Sequence, residues 1–356
     1  MATIKDVAAR AGVSVSTVSY ALNSTRPVSE EKRAVIEEAM RELQYRPNMI
    51  ARSLASKRTR IIAIFFPYVD HGIGPSEIDL IMEAAKSALR REYQLVIWAL
   101  QTNTEEELLG LVSQELADGV ILMEVHLHDR RIPALKQRGV PFILVGRDRD
   151  KPEETFIDID FFTTMMDCIS YLRGLGHRNL VFINQSKKSL DAGYGPVVRT
   201  HQAFAYFCKN FGVEGQEVFC ESDSAQVAMT VEGLLAGRRA DAPEVPNSTA
   251  FISMNDKSLP GLIRGIENSG FRIPRDISIV SIVSSGGSVS CYLPGITAFE
   301  MDIHALMDAA AAQLIAKLNG RYAEITERLI PCILRERQSS GTAPQGKIIQ
   351  GQGEVL

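Results

Sequence analysis

The chain has little cysteine, and what it has does not pair. Its five cysteines, Cys168, Cys208, Cys220, Cys291 and Cys332, are odd in number, scattered, and never spaced as C-x-x-C. That excludes a disulfide-stapled fold and reads as reduced core thiols. No apolar run is long enough to cross a bilayer, and the start is polar and helical rather than signal-like, so a cytoplasmic protein with no membrane partner is expected. No nucleophile elbow, Walker loop or G-x-G-x-x-G stands after a strand, and Gly193-Tyr-Gly195 reads as a loop. The chain is therefore not expected to be an enzyme or to hold a cofactor. His126, His128 and Asp129 could place alternate residues on one face, but spacing supplies no further ligand or supporting shell, so no metal is expected.

What is present is concentrated at the front. Thr3 can cap a first helix, with Asp6 in the capping-box position. Ile4, Val7, Ala8 and Ala11 then share one face. Gly12 supplies a turn in which positive φ is cheap for glycine. Ser14 caps a second helix running through Leu22, with Val18 and Leu22 inward. A third, Ser29 to Leu43, is amphipathic through Val35, Ile36, Ala39, Met40 and Leu43. Three helices with a helix-turn-helix at the front make a DNA-reading unit. Charge agrees: residues 1–60 carry 11 Lys+Arg against 6 Asp+Glu, a net of +5 within a chain of −4, which leaves −9 on the remainder. A basic head on an acidic body suits one end that meets phosphate.

The run Thr3-Ile-Lys-Asp-Val-Ala8, then Ala11-Gly-Val-Ser-x-Ser-Thr-Val-Ser19, Pro27-Val-Ser-Glu-Glu31, Leu43-Gln-Tyr-Arg-Pro-Asn48 and Ala51-Arg-Ser-Leu54 closely resembles the lactose-repressor (LacI/GalR) family of bacterial transcription regulators. A looser resemblance continues to about residue 337. It implies a homodimer on pseudo-palindromic double-stranded operator DNA, with the second helix in the major groove. Val15, Ser16 and Tyr20 then occupy specificity positions. Tyr20 replaces the arginine common there, exchanging a two-pronged guanine contact for one hydroxyl and a ring; packing on the third helix is the other role open to it. Thr3, Ser14, Thr17, Ser19, Asn23 and Arg26 fall to positioning on the backbone. Residues 48–56 resemble the family's hinge helix, in which Asn48, Ala51 and Leu54 reach the minor groove and Leu54 wedges between base steps. So short a helix is marginal alone, so it should form only with DNA and a partner chain.

Beyond residue 60, short apolar runs (Ile61–Phe66, Leu95–Leu100, Val120–Met123, Phe142–Val145, Leu180–Ile183, Ala250–Met254, Ile277–Val283) alternate with helical patterns (Glu77–Arg91, Glu105–Leu116, Phe161–Arg173, Arg199–Phe211, Ala225–Leu235, Lys257–Ser269, Ile303–Leu318). That pattern predicts an α/β body of two doubly wound parallel-sheet subdomains with a ligand cleft beyond the strands' carboxyl ends. It resembles the periplasmic-binding-protein architecture, with chain crossings expected near 160, 292 and 325. The expected domains are a helix-turn-helix head (1–47), hinge and linker (48–60), and an effector-binding and dimerisation body (61–337). Within the body the N-subdomain is 61–160 plus 293–325 and the C-subdomain 161–292 plus 326–337. A polar, Gly-rich tail (338–356), lacking leucine heptads, is expected to be disordered.

By resemblance, Arg199 holds sugar hydroxyls, Asn255 contacts ligand and Asp256 caps the next helix. Where the family carries Gly-[Phe/Tyr]-Asp-Asp this chain has Ser281-Ile-Val-Ser284 followed by Ser285-Gly-Gly287, so Ser284 replaces an acid and an anionic ligand on Arg199 gains weight. Tyr68, Asp70 and His71 replace an aromatic shelf, and Gln101, His126 and Arg147 follow strand ends. The leading expectation is a repressor controlled by a small molecule, a sugar or sugar derivative. Corepression by a nucleobase-like ligand is the alternative, and a ligand-binding or enzymatic body with an incidental head the third.

Overall fold

The computed structural model describes residues 2–23, 26–45, 58–67, 73–100, 104–149, 154–236, 248–254, 256–293 and 295–344. The expected hinge helix with Asn48, Ala51 and Leu54 lies outside them, as do Tyr68, Asp70, His71, Gln101, Asn255 and the side chain of Asn23. The described residues divide into two compact units, one holding the first 61 residues with 115–118, the other the rest.

The first unit is built on α1 (Ile4–Arg10), α2 (Val15–Asn23) and α3 (Glu30–Glu42). Thr3 and Asp6 form the reciprocal capping box. Gly12 sits at φ +63°, and Ser14 Oγ accepts from Thr17 N at 3.1 Å. Val7, Ala8, Val18, Ile36 and Ala39 close a small core. Val35, expected inward, is instead exposed, because Ile36 and Ala39 already fill the α3 seam. Arg10 and Glu42 tie α1 to α3.

The second unit holds two six-stranded sheets. Its elements run β1 (Ile61–Pro67), α4 (Pro75–Leu89), β2 (Gln94–Leu100), α5 (Glu105–Val112), β3 (Gly119–Leu122), α6 (Arg131–Gln137), β4 (Phe142–Val145), β5 (Phe156–Ile159), α7 (Phe161–Gly174), β6 (Asn179–Asn184), α8 (Lys187–Asp191), α9 (Gly195–Phe211), β7 (Glu214–Phe219), α10 (Ser224–Ala236), β8 (Ala250–Ser253), α11 (Leu259–Asn268), β9 (Ser278–Ser284), α12 (Gly286–Ser290), β10 (Thr297–Glu300), α13 (Ile303–Leu318), β11 (Arg328–Ile330) and β12 (Ile333–Arg335). The N-lobe sheet has the order β11-β5-β4-β3-β1-β2 and the C-lobe sheet β12-β10-β9-β8-β6-β7. Among the described ladders all are parallel except where β12 runs antiparallel to β10. Buried apolar strands such as Val120-Ile-Leu122 carry the cores, as a sheet covered on both faces requires.

Three expectations need correction. The crossing expected near 160 falls there, but the other two fall at 301 and 331, not at 292 and 325. Thr297–Glu300 extends the C-lobe sheet beside β9, and Arg328–Ile330 pairs with β5 in the N-lobe sheet. The first two crossings are alike in geometry. Asp160 (φ −79°, ψ 80°) ends β5 and caps α7, and Asp302 (φ −77°, ψ 78°) follows β10 and caps α13. Gly195 opens a helix rather than closing a loop. Finally, residues 338–344 are anchored. Ser339 Oγ accepts from Thr297 N, its carbonyl accepts from Ile279 N at 2.8 Å, and Ala343 N donates to Leu175 O. Small polar residues serve as a strap over backbone edges, which composition alone reads as disorder.

Two seams carry measurable predictions. A Cβ added at Gly261 would lie 2.5 Å from Ser224 O and 2.6 Å from Val227 Cβ, so α10 and α11 touch through bare backbone. Gly261→Ala should cost about 1–3 kcal/mol of overpacking, read from urea midpoints; an unchanged midpoint would refute the close approach. Between α4 and α13, Asp308 takes hydrogen bonds from Arg91, Arg90 and Ser87, and those bonds hold its carboxyl well below the ordinary range. Its contribution is thus present above the unfolded carboxyl pKa and lost as pH falls through the folded one. Asp308→Asn should flatten the acid limb of stability and leave the neutral-pH slope alone, as followed by melting against pH.

Candidate effector cavity and DNA-reading face

A cavity opens between the two lobes of the second unit. Its walls come from the carboxyl ends of strands, where open parallel sheets place ligands. Met123, Glu124 and Val125 follow β3; Gly146 follows β4; Asp158 and Ile159 belong to β5. Gln185 follows β6, Met254 and Asp256 follow β8, and Val283 is the next-to-last residue of β9. Ser76 and Glu77 enter from the first turn of α4, Tyr194 and Arg199 from the start of α9.

Arg199 is where the sequence placed it, in the wall and 7 % exposed, with Nη2 donating to Arg147 O at 2.9 Å. Asp256 is more than a cap. Its Oδ2 accepts from Ser76 N at 3.2 Å and from Ser76 Oγ at 2.8 Å, reaching across the cleft to the first turn of α4. A carboxylate there also suits the positive end of the helix. Ser285 N donates to the same Ser76 Oγ, and Glu77 pairs with Lys257 at 2.5 Å. Three residues of the C-lobe, Asp256, Ser285 and Lys257, thus clasp one helix end of the N-lobe.

The other expected residues sit differently. Arg147 turns its guanidinium onto Asp158 at 3.1 Å, and it serves the cavity through its carbonyl. Ser284 is fully buried against Ser281, because Val283 adopts φ +57° and takes the wall position. His126 lies in a shallower neighbouring depression with His128 and Asp129, its ring against Tyr194. Among the described residues no group of three His, Cys, Asp or Glu is placed to hold a metal.

Sequence reasoning missed the acids. Glu124 is held at φ +52°, a left-handed conformation uncommon outside glycine. Its carbonyl and that of Met123 accept from Arg131 Nη2. Arg131 is buried with Asp129 at 2.6 Å. Burial alone would raise the Asp129 carboxyl, but hydrogen bonds and the charge of Arg131 outweigh it and hold it low. Burial pushes Glu124 up despite a hydrogen bond from the Tyr194 hydroxyl, and Tyr194 is raised by burial and by that carboxylate. Burial likewise pushes Asp158 up to about 6 against the pull of Arg199 and Arg147. The missing acid after β9 is therefore compensated from β3, β5 and α4. An anion on Arg199, favoured on sequence grounds, would face four carboxylates.

In the first unit, Val15 and Ser16 lie exposed at the start of α2. Tyr20 is half-buried, with the Arg26 guanidinium 5.2 Å from its ring centroid, so its recorded partner is that cation. Ser14 bonds the hydroxyls of Ser16 and Thr17.

A helix-turn-helix unit followed in the chain by a two-lobed α/β body defines the class: a DNA-binding transcription regulator. Residues 3–48 match the bacterial regulatory proteins of the lacI family, and residues 169–340 match the periplasmic binding protein-like domain. The chain belongs to the LacI family of bacterial transcription regulators. Relatives include the HTH-type transcriptional regulator RegA of Clostridium saccharobutylicum, 27 % identical over 96 % of this chain and 100 % of that one. The HTH-type transcriptional repressor PurR of Erwinia tasmaniensis is also 27 % identical, over 97 % and 98 %. These relatives are regulators, not enzymes. The lac repressor dimer bound to operator and the anti-inducer ONPF superimposes with a TM-score of 0.77 at 21 % identity, covering 96 % of this chain and 99 % of that one. A transcriptional regulator CelR–cellobiose complex does so at 0.67 and 23 %, covering 96 % and 100 %.

Proposed function

We propose that the chain is a cytoplasmic, homodimeric repressor whose affinity for a pseudo-palindromic operator is set by a small hydroxylated molecule bound between the lobes. The observation that carries this is the clasp of Asp256, Ser285 and Lys257 on the first turn of α4, beside a cavity whose largely apolar wall carries a few polar and charged groups. Lobe geometry and cavity occupancy are then one equilibrium, and a ligand shifts it by its differential affinity. Val15, Ser16 and Tyr20 read bases; Thr3, Ser14, Thr17, Ser19, Asn23 and Arg26 position the head; Asn48, Ala51 and Leu54 act in the minor groove. Arg199 holds ligand. Ile78, Met82 and Leu89 form an exposed apolar stripe along α4, suited to a second copy.

Selection of duplexes from a randomised pool by the full chain should enrich two related half-sites. Leu54→Ala should weaken the enriched duplex about tenfold or more, with loss of the bend. A pool without any enriched sequence would overturn the reading. Whether adding ligand loosens or tightens operator binding separates induction from the corepressor alternative.

A further inference from the structure

The cavity carries more carboxylate than a neutral ligand calls for. Glu77, Glu124, Asp158 and Asp256 line it. Three cations face them: Lys257 on Glu77, Arg147 on Asp158, and Arg199 in the wall. Among the described residues Glu77 and Asp158 each have an ion-pair partner, whereas neither Glu124 nor Asp256 does. A second observation is independent of charge counting. Asp256 is 3 % exposed, its Oδ2 is engaged by Ser76, and its Oδ1 has no hydrogen-bond partner. A buried carboxylate oxygen without a donor is costly, and a ligand N–H removes that cost. Glu124, on the facing lobe, is an acceptor when ionised and is fixed by Arg131 at its carbonyl.

We propose that the cavity takes a small hydroxylated ligand bearing a protonated amine, with the ammonium received by Asp256 Oδ1 and Glu124 and the hydroxyls by Arg199 and Gln185. This rests on the reading of the cavity as the effector site. Such a ligand brings a cation to two buried carboxyls that have no ion-pair partner, whereas a phosphorylated or carboxylated one adds an anion beside them in a low-dielectric site. It also explains the two roles of Asp256. One oxygen holds the other lobe and the other holds the ligand, so amine binding and lobe closure share a single carboxylate.

The test is calorimetry and thermal shift on the full chain with glucosamine, galactosamine and mannosamine, their parent sugars, and glucose 6-phosphate. At least one amine should bind roughly tenfold or more tighter than its parent sugar, with no detectable binding of the phosphate. Glu124→Gln and Asp256→Asn should each weaken the amine roughly tenfold to a hundredfold and the parent sugar about threefold or less. Should one variant misfold, the other still decides. Absence of binding by every amine, binding of the phosphate, or equal weakening of amine and sugar in the variants overturns the proposal. A parent sugar that binds as tightly as its amine and also changes DNA affinity would overturn the amine while leaving the effector reading intact. DNA affinity unmoved by every probe and by Arg199→Ala would overturn the effector reading itself.

Discussion

Arg131→Met is expected to cost about 3–5 kcal/mol, because it strands the buried Asp129 carboxylate with no counter-charge. Few single changes in the second unit should be worse, and the reason is local. Arg131 and Asp129 are 2 % and 7 % exposed. The guanidinium is also the donor that fixes the carbonyls of Met123 and Glu124. Denaturant midpoints should fall, and ligand binding should weaken beyond what lost stability accounts for. The double change Asp129→Leu with Arg131→Met should recover most of the stability, since an apolar pair of similar volume can replace a buried ion pair. It should not recover ligand binding, because nothing then pins Glu124 at positive φ. A single variant within 1 kcal/mol of the parent, a margin typical of exposed pairs, would sink the argument.

Val18→Asp should abolish specific operator binding while leaving the second unit's melting transition in place. Val18 is fully buried between α1, α2 and α3, in a core that holds only a few aliphatic and alanine side chains. A carboxylate there has no partner, and so small a unit has little stability to lose. Specific affinity should fall at least about a thousandfold, toward the non-specific level. Val18→Ile, which keeps the site apolar, should retain most binding. Should Val18→Asp still select the operator by mobility shift, the three-helix core would not be what presents α2.

The head was legible almost residue by residue, because capping, turn and helical spacing are local signals. Thr3, Asp6, Gly12, Ser14 and Val18 each behave as their neighbours in sequence dictate. The sheets were legible where apolar runs were long. Phe156–Ile159 and Arg328–Ile330 were not, since each is short and one carries the polar Asp158, which only the cleft explains. The cavity was half legible. Arg199 follows from its helix start, but Glu124 depends on a left-handed backbone fixed by Arg131, seven residues on in the next helix. Ser284 could not be told from Val283 in advance, because a single positive φ exchanges which of them faces the cavity.

The matched joints at Asp160 and Asp302 have a mechanical meaning. Each ends a strand of one lobe with nearly the same backbone torsions and caps a helix of the other. Two such pins define a line, and two bodies joined along a line swing about it rather than sliding freely. Pressure from a molecule anywhere in the cleft then becomes motion along one coordinate. Loosening a single pin by Asp160→Ala or Asp302→Ala would tilt that axis, sending the same push to the wrong place.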